Sequence, residues 1–153
     1  MSSVLRTIAD RLATGLQSVT WSIASTTVER RNWANIDVDA MSVPKVFVIP
    51  GSADVTRISR THMQVDYSVT VFVGRHVTTD GEVDGMLDLA DSVMLYVRAH
   101  SFGAGVIWPT GVTSPQTVSI DLNPDDALTE RNVWRAVITA TYRVFETNVL
   151  PTV

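Results

Sequence analysis

Between His62 and Val73 the chain alternates up to Thr70: Met63, Val65, Tyr67, Val69, Val71 and Val73 take one side, and Gln64, Asp66, Ser68 and Thr70 the other. Strict period-two alternation of this kind describes a strand with one face in a core and one face toward water, as in antiparallel sheets. A second segment repeats the pattern. From Val133 to Phe145, Trp134, Ala136, Ile138, Ala140, Tyr142 and Val144 share a face, and Arg135, Thr139, Thr141 and Arg143 share the other, interrupted by Val137 and Phe145. Two half-buried strands need a second layer to cover their apolar sides.

Two helices are legible. Over residues 3 to 18, Val4, Leu5, Ile8, Ala9, Leu12 and Leu16 fall within an arc of about 140° at helical periodicity. Ser2 or Ser3 can cap its start, and Gly15 marks a weak point near its end. The second helix opens at Thr79-Asp-Gly-Glu82, which has capping-box spacing. Its apolar stripe is Val83, Met86, Leu87, Ala90, Val93, Met94 and Val97, beside an acidic stripe of Asp84, Asp88 and Asp91. Gly103 closes that segment.

Two further strands are expected, Pro44 to Pro50, ended by a turn at Gly51, and Thr117 to Leu122, with Asn123-Pro-Asp-Asp126 as a turn before the last strand. Residues 19 to 43 carry only a brief alternation at Val19, Trp21 and Ile23, and read as a long, partly ordered connection that settles against a neighbour. The expectation is one α+β domain over residues 1 to 153: an antiparallel β-sheet with two α-helices packed on one face, in the order α-β-β-α-β-β.

Composition narrows the function. Twelve basic residues, eleven of them Arg and only Lys45 a lysine, face sixteen acids, for a net charge of −4. That balance opposes a surface that coats nucleic acid, which needs a positive excess. With no cysteine, disulfide frameworks, thiolate catalysis and cysteine-ligated zinc are excluded. Hydrophobic residues make up 45% of the chain, yet no apolar run approaches the roughly 20 residues that cross a membrane, so no membrane partner is expected. The N-terminus lacks a signal peptide's apolar core, so the mature chain is expected to start at or near Met1.

Chemistry-bearing motifs are sparse. There is no GxGxxG, Walker A, HExxH or GxSxG pattern. His62, His76 and His100 stand far apart, and Asp84, Asp88 and Asp91 read as a solvated helix face before a cation site. No catalytic residue, cofactor or metal is expected. Arg30-Arg31, and the set Arg57, Arg60 and Arg75, are local positive spots suited to salt bridges or to an acidic neighbouring subunit. Leu89 and Tyr96 lie away from the main stripe of the second helix and Leu95 lies within its acidic stripe, so more than one side of that helix is expected to be covered. Leu89, Leu95, Tyr96, Arg30, Arg31 and Trp33 are therefore candidate subunit-interface residues. The last strand is about fifteen residues long against a typical five or six, so it must bend at a bulge or project.

The element order carries a resemblance. An amphipathic N-terminal helix is followed by Val28-Glu-Arg30, Pro44-Lys-Val-Phe-Val-Ile-Pro50, Thr56-Arg57, and Gln64-Val-Asp-Tyr-Ser-Val-Thr-Val-Phe-Val73. Then come the helix through Leu87-Asp-Leu-Ala-Asp91 and the closing Asn132-Val-Trp-Arg-Ala-Val-Ile-Thr-Ala-Thr-Tyr-Arg143. From about residue 3 to 146 this resembles the tail terminator, or tail-completion, proteins of long-tailed bacteriophages. The resemblance implies a structural virion protein without catalysis. It forms a homo-oligomeric, hexameric ring on the end of the tail tube, stops tube polymerisation, and meets the head-completion or connector protein at the neck. DNA passes through its centre without specific binding, and assembly takes place in the host cytoplasm. Asp121, Asp125 and Asp126 are the candidates to line that lumen. The alternatives are another neck or tail component, such as an adaptor or a tail tube subunit, and more remotely a small hydrolase or metal-binding domain.

Overall fold

The computed structural model describes residues 4–32, 42–99, 115–122 and 132–147. The elements run α1 (Val4–Gln17), β1 (Thr27–Arg30), β2 (Lys45–Arg57), β3 (His62–His76), α2 (Asp80–Ala99), β4 (Thr117–Leu122) and β5 (Val133–Thr147). The α+β class holds, with two helices on one face of a sheet. Two finer expectations do not. The sheet has five strands in the order β1-β2-β3-β5-β4 and is mixed, because β1 runs parallel to β2 while all other pairs are antiparallel. The element order is α-β-β-β-α-β-β, since the long connection expected over residues 19 to 43 contains β1.

β1 escapes sequence reading for a physical reason. It has four residues, Thr27-Val-Glu-Arg30, and its one apolar side chain gives no period. Its parallel pairing also explains why the connection to β2 is long. A parallel return needs a crossover of a dozen or more residues, and positions 31 to 44 separate β1 from β2. The brief alternation at Val19, Trp21 and Ile23 forms no strand. Trp21 instead folds back on α1, donating its indole N–H to the Leu16 carbonyl at 3.2 Å, and meets the Tyr96 ring edge-on with centroids 6.2 Å apart.

The central ladder pairs β3 with β5 over its whole length, from His62 opposite Thr147 to His76 opposite Val133. Val65, Tyr67, Val69, Val71 and Val73 lie on one face with Trp134, Ala136, Ile138, Ala140, Tyr142 and Val144, all buried. Ile8, Ala9, Leu12, Ala13 and Leu16 of α1, and Met86, Leu89, Ala90, Val93 and Val97 of α2, close over them as one core. Gly74 does not end β3, which continues to His76. The opposite face carries a smaller apolar cluster of Phe47, Ile49, Phe72 and Val133, with Val137 against it.

β2 departs most from expectation. It does not turn at Gly51 but runs through Pro50 and Gly51 to Arg57, with a register shift between Pro50 and Ala53. Proline fits here because β1 pairs only with residues up to Val48, so the amide side of Pro50 lies on an edge. Glycine fits because a Cβ at position 51 would stand 2.6 Å from the Ser68 carbonyl oxygen. The bulge therefore depends on a backbone approach that only glycine allows.

Thr79 accepts the Glu82 amide at 3.2 Å as the capping box predicts, but Glu82 reaches back to the Thr78 amide, at 2.8 Å, one residue earlier than expected. Ser2, Ser3, Gly103 and the Asn123–Asp126 turn lie outside the described residues.

Two substitutions test this packing. Ile138→Ala should destabilise the chain by about 2–5 kcal/mol in urea unfolding, since its side chain is fully buried in the core between sheet and helices. Gly51→Ala should cost on the order of 1–3 kcal/mol although the position is exposed, because the strand must shift away from Ser68.

Candidate interaction surface

Several arginines singled out in the sequence are consumed within the chain. Arg30 points to the helix side, where its Nε lies 3.0 Å from Asp10 Oδ1 of α1, and its Nη1 donates to the Arg31 carbonyl and to Asn32 Oδ1. Arg31 pairs with Glu29 at 2.8 Å, and its guanidinium lies 5.0 Å from the Phe47 ring centroid. Arg75 is 3.8 Å from Glu82. On the open face of the sheet Arg143 donates to both oxygens of Asp66, at 2.9 and 3.3 Å, directly across the β3–β5 ladder. This hydrogen bond holds the Asp66 carboxyl below the usual carboxylate range and raises Arg143 in turn. Burial, and then the hydrogen bond to Glu146 at 2.8 Å, push the Tyr67 phenol above its ordinary range, and burial does the same to Tyr142.

Arg57 and Arg60 differ. Both are exposed at the tip of the β2–β3 hairpin, and neither forms an ion pair among the described residues. The tip is well tied. Ser59 Oγ accepts the amides of Thr61 and His62, at 3.3 and 3.0 Å, and the amides of Ile58 and Ser59 both reach the His62 carbonyl. Every residue from Gly51 to His62 is exposed. Val55 at 60% and Ile58 at 54% are the conspicuous apolar ones. Val65 and Val144 at the same level are buried, so the exposure belongs to the β2 edge and the tip. Phe145, at 58%, lies on the open face of the same end of the sheet. Sequence reading misses Val55 and Ile58 because Gly51 reads as the end of a strand. The one signal within its reach is Phe145, which breaks the polar face of the last strand.

α2 offers the opposite character. Asp84, Asp88, Asp91 and Leu95 form an exposed ridge, flanked by Leu87. None of the three acids has an ion pair among the described residues. Of the interface candidates on this helix, Leu95 is 43% exposed, whereas Leu89 is fully buried in the chain's own core and has no surface to offer a neighbour. Leu89 is inside because the buried arc of α2, Met86, Leu89, Ala90, Val93 and Val97, is rotated from the expected stripe, and the same rotation leaves Leu87, expected inside, 37% exposed. Tyr96 is half-buried against Trp21. Asp121 is exposed on the β4 edge strand. Trp33, His100, Asp125 and Asp126 lie outside the described residues.

A shallow depression of about 290 Å³ at the start of α2 is lined by Val77, Thr78, Thr79, Asp80, Val83 and Asn132. The cap already uses the Thr78 amide and the Thr79 hydroxyl there. Among the described residues no three His, Asp or Glu side chains converge on a possible metal position. No helix among them is long and apolar enough to cross a membrane. No protein-family model matches the chain, and no curated protein matches it significantly.

The Asp66–Arg143 pair makes a pH prediction. A carboxyl held low in the folded chain adds stability that is complete above its unfolded value and lost as pH falls through its folded value. The NMR-monitored titration of Asp66 should therefore have its midpoint below that of an ordinary aspartate, and Arg143→Gln should move it upward. An unchanged midpoint would show that Arg143 does not hold the charge.

Proposed function

We propose that this chain is a structural virion protein of a long-tailed bacteriophage, a tail terminator. Copies form a ring, hexameric as the resemblance to tail terminators implies, that sits on the end of the tail tube and stops its growth. The ring presents its other side to the head-completion or connector protein, and DNA passes through its lumen without specific binding. Its role is assembly, not catalysis, and its place is the neck of the virion after assembly in the host cytoplasm.

The observation that carries this reading is the outer half of β2. From Gly51 to Arg57 the strand continues past β1 with no partner on that side among the described residues, and it ends in an ordered tip with Val55 and Ile58 in water. A seven-residue strand edge of this kind reaches about 23 Å. Backbone groups on an open edge are a template for another chain. A net charge of −4 supports a lumen through which DNA slides without being held. The same open edge also suits a tail tube subunit or an adaptor, and assembly behaviour separates the readings.

Purified chain added to polymerising tube protein from the same genome should halt elongation and appear by electron microscopy as one layer at one tube end. Native mass spectrometry should give that layer a mass that is a multiple of 16.8 kDa. Open-ended filaments of the chain alone would make it a tube subunit, and failure to bind any tube end would end the terminator reading.

A further inference from the structure

We propose that the β2–β3 hairpin tip of one copy seats on the outer face of α2 of the next copy, with Arg57 and Arg60 against Asp88 and Asp91, and Ile58 against Leu95. This inference rests on the ring reading and names the two surfaces of the chain that meet.

Complementarity is the ground for it. The tip places an apolar side chain between two arginines that have no ion pair among the described residues. The α2 ridge places two similarly unpaired acids one turn apart, with an exposed leucine on the next turn. The ridge from Asp88 to Leu95 spans about 10 Å along the helix, a length a hairpin tip can cover. Both surfaces are preformed. Ser59 ties the tip through two amides, and α2 is fixed by Met86, Leu89, Ala90, Val93 and Val97 in the core. Little ordering is therefore needed on contact.

The charges disfavour tip on tip and ridge on ridge, which would set like against like. Basic tip on acidic ridge joins two different patches, and in a ring each copy gives its tip to one neighbour and takes the other neighbour's tip on its ridge. The apolar side chain at the centre favours protein over a phosphate-bearing partner, and no Phe, Tyr or Trp lies at the tip.

The chain has no cysteine, so an introduced pair reports on itself alone. Ile58→Cys and Leu95→Cys chains, mixed and oxidised, should form a mixed disulfide dimer, while Ile58→Cys with Ser119→Cys on exposed β4 should not. Equal trapping of both pairs, or none of either, overturns the contact. Charge reversal gives an independent readout on tube ends and in free solution. Arg57→Asp with Arg60→Asp, and separately Asp88→Arg with Asp91→Arg, should each raise the concentration needed for assembly at least about tenfold, and the four changes together should restore most of it. If the tip reversal alone matters, the tip meets a phosphate or another acidic partner and the proposal fails. If wild type assembles and no reversal changes it, this contact fails while the ring stands. If wild type stays at 16.8 kDa both free and with tubes, the ring reading fails and takes this contact with it.

Discussion

The β3–β5 ladder is the constraint that sets the other positions. Its residues pair in register from one end to the other, and one face is apolar throughout, from Val65 and Val144 to Val73 and Ala136. Side chains alternate sides at every residue, so a slip of one position would turn both buried sets to water. The register is therefore held by burial over the whole length. The helices can only lie on that face. α1 covers it on the β1–β2 side and α2 on the β5–β4 side, and Trp21 against Tyr96 fills the seam between them.

A ladder this long outruns its flanking strands. β1 stops opposite Val48 and β4 stops opposite Thr141, so β2 beyond Pro50 and β5 beyond Thr141 have open sides among the described residues. Exposed edges invite pairing with other chains, and proteins usually blunt them with bulges, charge or proline. Here Pro50 and the bulge at Gly51 interrupt the edge, Asp54 and Arg57 charge it, and yet Val55 and Ile58 remain in water. An edge both guarded and partly apolar suits association with a specific neighbour.

Electrostatics sort the basic side chains in the same direction. Arg30, Arg31, Arg75 and Arg143 each lie near a carboxylate of their own chain, and Arg31 and Arg143 lie on the open face beside Phe47 and Asp66. Exposed pairs of this kind contribute little stability singly, and they orient strand ends more than they hold the fold. Arg57 and Arg60, carried out on the hairpin, lack such partners among the described residues, as do Asp84, Asp88 and Asp91 on α2. Arg11, Lys45, Asp54 and Arg98 are likewise without an ion pair among the described residues, so the hairpin tip and the Asp84–Asp91 ridge are two unmatched groups of opposite sign among several single charges.

Patterns that repeat along the chain are legible from residues alone. Alternation marks β3 and β5, helical spacing marks α1 and α2, and Thr79 with Glu82 marks the start of α2, because each is a local period or a local cap. Choices made between distant segments are not legible. β1 is too short to show a period and exists because β2 lies beside it. Pro50-Gly51 reads as a turn, but the neighbouring Ser68 carbonyl turns it into a bulge that lets the strand run on. Leu89 lies off the expected apolar stripe of its helix, yet it is fully buried in the core while Leu87 of that stripe is exposed. Sequence alone determined which face of α1, β3 and β5 had to be buried. Tertiary packing decided which edges stayed open, because strand pairing and helix coverage each depend on segments far apart in the chain.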